Sequence, residues 1–219
     1  MGKLYPESHI EIDGFIARHY EGLLNLITLG KYGTFIEDAV RDMKIRPEDR
    51  VIDLGAGSGY NAQFMSEYLG QEGEILGLDI SREGIAQFRE KFTNNPDVNI
   101  ENKRIDVSLP YDSRFDKALT SFVIHGLPHP SREELLKNAH KALKQGGVFY
   151  VLDYGEFELS DLPLYLRIPF RVAECDYAYD YLSRDWKEIL EDFGFSRIKT
   201  REYLGGFTRL LSAEKGSPR

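Results

Sequence analysis

The stretch that decides the fold runs from Val51 to Tyr60 and reads Val-Ile-Asp-Leu-Gly-Ala-Gly-Ser-Gly-Tyr. Its first four residues, 51–54, are predicted to form a short buried strand. The three alternating glycines that follow let the backbone turn sharply and approach a ligand without interference from a Cβ atom. From Gly59 onward the apolar residues take helical spacing. A strand, a glycine turn and a helix N-terminus together predict a corner that binds a nucleotide.

The details of this corner indicate which kind of nucleotide it binds. A dinucleotide fingerprint needs a glycine at the position where this chain has Tyr60, beside the pyrophosphate on the helix N-terminus. Asp53, at the end of the strand, would also repel a pyrophosphate but would tolerate a cationic group. The corner therefore favours an adenosine that carries a positive charge, and S-adenosylmethionine is such a molecule.

Length and composition place the chain among ordinary globular proteins. It has 219 residues, of which 42% are hydrophobic and 29% are charged, so we expect one domain with a substantial core. The formal net charge of −8 argues against a nucleic-acid partner. We expect no integral membrane segment and no signal peptide, and therefore a cytoplasmic protein. Because Cys175 is the only cysteine, we predict no disulfide within the chain and no zinc site built from cysteines. His125 and His129 are four residues apart, but Gly126 and Pro128 between them exclude a shared helical face, so we predict no metal site.

Two further acidic residues follow predicted strands. Asp79 ends the strand predicted for 74–79, near the place where an acidic residue accepts hydrogen bonds from a ribose diol. The alternative is that Asp79 only caps the next helix, but Ser81 already supplies a good N-cap there. Asp106 directly follows the strand predicted for 98–105. A lone acidic residue after a strand is often just a solvated loop residue, so Asp106 needs further support.

The strand predicted for 115–121 leads to the third group of candidates. Strand ends in such sheets open onto the ligand crevice, so Ser121 and Phe122 should border the reacting atoms. His125 follows within the same loop and is suited to orient a substrate or to accept a proton at neutral pH. A histidine that is merely hydrogen bonded within the loop is an equally good interpretation.

The second half of the chain is less regular. A helix is predicted to start at a Ser131 capping box and to be followed by a strand at 148–153. Residues 154–182 lose regular periodicity and are rich in aromatics. They either pack on themselves or form a lid over an apolar substrate pocket, which we favour because they leave the end of a strand. A helix capped by Ser183 and running to Phe193, then a hairpin over 196–213, should close the domain.

These motifs resemble those of the class I S-adenosylmethionine-dependent methyltransferases. Asp-Leu-Gly-Ala-Gly-Ser-Gly at 53–59 resembles their first motif, and 115–129 resembles their fourth motif with its hydrophobic-then-histidine ending. Residues 15–30 further resemble the entry segment of the ubiquinone/menaquinone-biosynthesis C-methyltransferases, which has a tyrosine-acid pair, an asparagine and a glycine. Here Glu21 replaces the usual aspartate, and Asn25 is displaced by one position.

The resemblance implies an α/β fold with a doubly wound, Rossmann-like, mostly parallel sheet, one antiparallel strand near its end and an N-terminal helical cap. It implies one domain over 1–219, with the cap at 1–46 and a substrate lid inserted at 154–182. Tyr20 would lie over the methionine end of the cofactor, and Asp106 would accept from the adenine amine while the next backbone amide reads the ring. The cofactor-binding residues expected are Tyr20, Asp53, Gly55, Ala56, Gly57, Asp79, Ile80, Asp106, Val107, Ser121 and Phe122, and His125 is the catalytic candidate.

The expected function is methyl transfer from S-adenosylmethionine to a small, largely apolar or aromatic acceptor, at carbon or oxygen. No nucleic-acid partner is expected, and the oligomeric state stays open, with a homodimer among the options. A nicotinamide-dependent oxidoreductase shares the fold but conflicts with Tyr60 and Asp53. A non-catalytic module that binds S-adenosylmethionine on the same scaffold is a second alternative. Arsenite methylation is disfavoured because the several cysteine thiolates of that family are missing.

Overall fold

The structure is a computed structural model and describes residues 8, 30, 32–160, 167, 170 and 175–216. The strands are β1 (Arg50–Leu54), β2 (Glu74–Asp79), β3 (Val98–Asn102), β4 (Phe115–Ser121), β5 (Leu143–Tyr154), β6 (Phe195–Tyr203) and β7 (Thr208–Lys215). The helices are α1 (Tyr32–Asp42), α2 (Tyr60–Ser66), α3 (Arg82–Lys91), α4 (His129–Ala142), α5 (Asp176–Leu182) and α6 (Trp186–Asp192). A short 3-10 turn, Ile124–Gly126, follows β4.

The described strands form one seven-stranded sheet in the order β3-β2-β1-β4-β5-β7-β6. The pairs among β1 to β5 are parallel, whereas β7 runs antiparallel to both β5 and β6. The predicted doubly wound sheet with one antiparallel strand near its end is therefore confirmed. The chain moves outward from β1 to β3 and then returns to place β4 beside β1. Ligands bind at such a switch point, at the carboxyl ends of the strands.

Each face of the sheet carries its own apolar core, because successive side chains of a strand point to opposite faces. On one face Val51 packs with residues of α1, α2 and α3, including Phe88. On the other face Ile52 and Leu54 pack with residues of α4, α5 and α6, including Trp186. The prediction that β1 is a buried strand is confirmed, since its last four residues are all buried. Alternation places Asp53 on the Val51 face.

The start of α4 differs from the prediction. The helix begins at His129 rather than at a Ser131 capping box, and its N-cap position is Pro128. Pro130 lies in the first turn, where its missing N–H would have had no partner within the helix. The Ser131 hydroxyl instead donates to Asp106 at 3.1 Å.

The prediction that a helix begins at Ser183 and runs to Phe193 was also wrong about the first residue. Ser183 ends α5, and α6 begins after Asp185, whose carboxylate accepts from the N–H groups of Lys187 and Glu188, both at 3.0 Å. A carboxylate both caps the exposed amides and interacts favourably with the helix dipole. Asp185 therefore decides where α6 starts.

Two strands have different bounds from those predicted. β3 ends at Asn102 rather than at 105. β5 begins at Leu143 rather than at 148, because Leu143 pairs with Phe115 before a register shift. The residues between 143 and 148 form the bulge at this shift, and Gly146 takes a φ of +76° there.

The two ends and the aromatic segment are described only in part. α1 lies within the predicted cap, 1–46, whereas Tyr20 lies outside the described residues. Within 154–182, α5 occupies the last seven residues, where Ala178 and Tyr181 are buried one helical turn apart. The closing hairpin of β6 and β7 is confirmed. No helix within the described ranges is long and apolar enough to cross a membrane.

Candidate active site

The glycine turn after β1 is fastened to the end of β2. Gly55 and Ala56 donate to one carbonyl of β2 at 2.9 and 3.1 Å, and the N–H of Gly57 donates to Oδ2 of Asp79 at 2.7 Å. Gly55 has a φ of +93°, and a Cβ built on it would lie 2.5 Å from Cγ2 of Val123. A side chain at Gly55 is therefore excluded by both conformation and space. The turn brings the ends of β1 and β2 and the loop after β4 together.

The carboxylate of Asp79 is held by three main-chain amides. Oδ1 accepts from Ile80 and Ser81 at 2.7 Å each, and Oδ2 accepts from Gly57. Burial raises the pKa of Asp79, and the three amide hydrogen bonds oppose that rise. A carboxylate has about four acceptor positions, so about one is left for a ribose hydroxyl. The predicted contact with the ribose stays a prediction, and Asp79 has the additional role of shaping the turn. Ser81 is the N-cap of α3, as predicted, and accepts from Gly84 at 3.1 Å.

Asp53 carries a buried carboxylate. Its side chain is fully buried at the end of β1, and neither oxygen has a hydrogen-bond partner among the residues that the structure describes. Burial, and to a lesser extent the nearby charge of Asp79, raise the pKa of Asp53 to about 7. A buried carboxylate that lacks a partner is costly, and a bound cation would offset that cost.

These features fit S-adenosylmethionine. A Cβ built on Gly57 would meet none of the residues that the structure describes within 4 Å, so these residues leave space beside the backbone at the middle of the turn. Asp53 supplies an uncompensated carboxylate for a positively charged ligand, and Asp79 lies across the same turn. The corner thus combines room for a ligand with the charge that a sulfonium or ammonium group needs.

Asp106 is engaged with neighbouring side chains. Its carboxylate accepts from Nε and Nη2 of Arg104 at 2.9 and 2.8 Å and from the hydroxyl of Ser131 at 3.1 Å. Val107 follows it as an exposed residue. The predicted hydrogen bonds of adenine to the Asp106 carboxylate and to the main-chain amide of Val107 stay a prediction. A bound adenine amine would donate to a carboxylate that also accepts from Arg104.

Asn138 of α4 holds the turn that carries Asp106, and the sequence did not single it out. Its Nδ2 donates to the carbonyls of Ile105 and Val107 at 2.9 and 2.7 Å, and its Oδ1 accepts from the N–H of Leu109 at 2.9 Å. The available signal was its position on the buried stripe of α4, three residues after a buried leucine. A polar residue at such a position must find partners.

Ser121 and Phe122 lie at the end of β4, as predicted. Phe122 takes a φ of +52°, an uncommon conformation for a bulky residue, and its N–H donates to the carbonyl of Leu152 at 2.9 Å. The ring of Phe122 contacts Phe35 of α1 and Tyr154 of β5 at centroid distances of 6.1 and 6.3 Å. The loop after β4 is thus enclosed by aromatic side chains from both sides.

His125 is paired with Asp153, a residue that the sequence did not assign to the site. Nδ1 of His125 lies 2.8 Å from Oδ1 of Asp153, and the main-chain N–H of His125 donates to Oδ2 of Asp153 at 3.3 Å. Both residues are buried. Arg132 of α4, also buried, donates from Nη2 to the carbonyl of His125 at 2.9 Å. The available signal for Asp153 was its position as another acid at the carboxyl end of a parallel strand, like Asp53.

An aromatic cluster lies directly beside this pair. The ring of Tyr154 is surrounded at centroid distances of 4.8 to 6.4 Å by five other rings, which belong to His125, Phe170, Phe207, Phe122 and Phe157. We call these six residues the Tyr154 cluster. The carboxyl edge of the sheet therefore carries a charged corner at Asp53 and an aromatic region at Tyr154, on either side of the loop after β4. Within the described residues, no group of three or more His, Cys, Asp or Glu side chains is arranged to hold a metal ion.

Comparison with known sequences identifies similar proteins. The family model described as a methyltransferase domain matches residues 51–147. A ubiquinone/menaquinone biosynthesis C-methyltransferase UbiE from Xanthomonas axonopodis pv. citri is 24% identical over 226 residues, which cover 94% of this chain and 88% of the relative. The UbiE of Francisella tularensis subsp. novicida is 26% identical, with 89% and 86% covered.

Solved structures show the same fold. A SAM-dependent methyltransferase from Aquifex aeolicus superposes with a TM-score of 0.67 at 18% identity, covering 93% of this chain and 99% of that one. The [4+2]-cyclase SpnF superposes with a TM-score of 0.70 at 14% identity, covering 96% and 98%. A cyclase among these structures illustrates that the fold alone does not determine the reaction.

Proposed function

We propose that this chain, which is a class I S-adenosylmethionine-dependent methyltransferase resembling the ubiquinone/menaquinone-biosynthesis C-methyltransferases, methylates a small, largely apolar or aromatic acceptor at carbon or oxygen. The observation that carries the proposal is the Tyr154 cluster beside His125, because an apolar acceptor needs an apolar wall next to the reacting atoms. The name C-methyltransferase, printed for the relatives, favours carbon over oxygen.

The reaction divides the work between cofactor and protein. When bound, S-adenosylmethionine supplies a methyl group whose bond to the positive sulfur breaks with the electron pair going to sulfur. The protein's tasks are to bind, to orient the acceptor and to exclude water, since alignment in a dry site lowers the barrier. We assign cofactor binding to the corner of Asp53, Gly55, Ala56, Gly57 and Asp79, together with the other residues that the sequence predicts.

His125 is the proposed proton acceptor. A phenol or enol becomes a strong enough nucleophile when its O–H proton leaves, either at oxygen or at the carbon next to the one that bears the oxygen. The imidazole of His125 takes that proton and becomes an imidazolium, while the acceptor atom forms its new bond to the methyl carbon. The pairing of Nδ1 with Asp153 supports this role, because a neighbouring carboxylate stabilises the imidazolium.

The segments at the two ends of the site complete the proposal. Residues 154–182 would act as the substrate lid, and their described part contributes Tyr154, Phe157 and Phe170 to the cluster. Residues 1–46 would form the cap, and its described helix α1 places Phe35 against Phe122. We expect no nucleic-acid acceptor, and we leave a homodimer open.

The test is a methyl-transfer assay with purified protein and labelled S-adenosylmethionine. The acceptor panel should contain substituted phenols, naphthols, reduced hydroquinones, small carboxylic acids and RNA, with mass spectrometry of any apolar molecule that copurifies. We expect a methylated phenol, naphthol or hydroquinone. Methylation of RNA would overturn the proposed acceptor class, and cofactor binding without turnover across the panel would favour the non-catalytic binding module.

A further inference from the structure

The side chain of Asp153 contacts the ring of His125 at Nδ1. We propose that Asp153 is a positioning residue that holds His125 as the Nδ1–H tautomer, so that Nε2 carries the lone pair that takes the acceptor's proton. This inference rests on the proposed role of His125 and extends it to a residue that never touches the acceptor.

The hydrogen bonds around Asp153 determine the tautomer. Oδ1 lies 2.8 Å from Nδ1 of His125 and accepts from the N–H of Tyr154 at 2.8 Å, and Oδ2 accepts from the N–H of His125 at 3.3 Å. An ionised carboxylate can only accept, so Nδ1 must be the donor in the shortest contact between the two side chains. A neutral imidazole has one ring proton, and the lone pair is then on Nε2.

The main chain of His125 is fixed from the opposite side by Arg132. Nε of Arg132 donates to the carbonyl of Ile124, and Nη2 of Arg132 donates to the carbonyl of His125, both at 2.9 Å. The side chain of Arg132 is only 1% exposed. Turning the ring over would break its contact with Asp153, while Arg132 keeps the backbone that carries the ring in place.

Several charged and titratable groups face this pair, and they matter for any pH profile. Arg132 of α4 also pairs with Asp180 of α5. Arg209 of β7 lies opposite Asp153 in the sheet and pairs with Glu156. The ring of Tyr154 lies 4.8 Å from that of His125, with the two planes tilted by 54°. The hydroxyl of Tyr181 donates to the Tyr154 carbonyl at 3.5 Å. Arginine side chains from α4 and β7 are therefore the cationic neighbours of this pair that a pH profile has to take into account.

The decisive variant is Asp153→Asn. The amide has nearly the shape of the carboxylate but can donate through its NH₂ group to Nδ1, which favours the Nε2–H tautomer and removes the lone pair from Nε2. In a Ser-His-Asp triad the corresponding exchange of aspartate for asparagine lowers kcat about 10⁴-fold for this reason. We expect kcat to fall at least about 10²-fold, with KM for the acceptor and affinity for S-adenosylmethionine changing much less.

A spectroscopic measurement tests the tautomer without any acceptor. Nitrogen-15 NMR of the His125 ring at pH 8 should show a protonated Nδ1 in the unmodified protein and a protonated Nε2 in Asp153→Asn. Asp116→Asn is the matched control, because Asp116 lies in β4 away from the carboxyl edge and pairs with Lys144. This control should leave the His125 signals unchanged. A protonated Nε2 in the unmodified protein would overturn the inference.

A double-mutant cycle with His125→Gln separates this inference from the proposed function. The rate is measured with the acceptor of highest turnover in the panel. If Asp153 acts through His125, adding Asp153→Asn to His125→Gln should lower kcat no further, within about twofold. If the double variant loses as much kcat again as Asp153→Asn loses alone, Asp153 acts independently of His125 and the inference is wrong. A low kcat in His125→Gln together with a normal kcat in Asp153→Asn would overturn the inference but not the role of His125. Near-normal rates in both single variants would instead overturn the role of His125.

Discussion

The main-chain N–H of Gly57 donates a 2.7 Å hydrogen bond to Oδ2 of Asp79, and this bond joins the glycine turn after β1 to the end of β2. The two residues are 22 positions apart in the chain, yet they act as one unit because β1 and β2 are adjacent parallel strands. The acidic residue that would contact the ribose therefore also shapes the turn beside the cofactor.

Asp79→Ala should weaken the binding of both S-adenosylmethionine and its demethylated product. Removing a charged acceptor of hydrogen bonds typically costs roughly 1.5–3 kcal/mol. The free energy of unfolding should fall as well, because three main-chain amides lose their acceptor. Calorimetry measures the affinities and urea denaturation the stability. Asp97→Ala, which removes an exposed aspartate, is the control. An unchanged affinity in Asp79→Ala would remove Asp79 from the site.

The ligand-free protein should lose stability as the pH rises through neutrality, because of Asp53. Burial raises its folded-state pKa from 3.8 to about 7, so the folded state holds a proton that the unfolded state releases near pH 4. The resulting stability is fully present below about pH 4 and is lost as the pH rises to about 7. At about 1.4 kcal/mol per pKa unit, this loss is roughly 4 kcal/mol for Asp53 alone.

Other titrating groups add to the measured curve, so the comparison that matters is with Asp53→Asn. This variant should be more stable than the unmodified protein at pH 8, and the difference should shrink toward pH 5. Urea denaturation at a series of pH values measures both curves. Parallel curves for the two proteins would show that Asp53 does not titrate between pH 5 and pH 8.

Phe157→Ala should weaken acceptor binding more than catalysis. Phe157 stacks on Phe207 at 5.4 Å with an interplanar angle of 19°, and both rings contact Tyr154. Burial of an aromatic side chain contributes roughly 1.5–3 kcal/mol, so KM for an apolar acceptor should rise about tenfold or more. Steady-state kinetics measures the effect. Tyr111→Phe, before the start of β4, should leave KM unchanged, and an unchanged KM in Phe157→Ala would place the acceptor elsewhere.

The strand, glycine turn and helix at 51–66 could be predicted because their signals are local. The buried strand, the glycine turn and the first helical residues are consecutive, and each depends on the conformational preferences of its own residues. The resemblance of the motifs implied the mostly parallel sheet, and the alternation of predicted strands and helices agreed with it. The starts of α4 and α6 were harder to predict because neighbouring residues compete to cap a helix, and Asp185 is a stronger cap than Ser183 in this context.

The partners of His125 could not be predicted because they depend on the sheet order. Asp153 lies 28 residues from His125 in the sequence and meets it only because β5 lies next to β4. Asn138 similarly reaches the Asp106 turn from 31 to 33 residues away. The sequence could identify strand-end acids and a histidine as candidates, but only the packing shows which of them pair.

Binding of S-adenosylmethionine near pH 7 should release protons from Asp53. With a pKa of about 7, Asp53 is about half protonated at pH 7 in the ligand-free protein. A positive group bound in the corner favours the ionised carboxylate, so about half a proton per site should be released at pH 7, and more at pH 6. Calorimetry in buffers that differ in ionisation enthalpy measures this number.

Asp79 has a raised pKa as well, so the contribution of Asp53 is the difference between the unmodified protein and Asp53→Asn. Equal proton release by the two proteins would show that the bound cation leaves the protonation of Asp53 unchanged, and the assignment of Asp53 to the cofactor's positive groups would then be wrong.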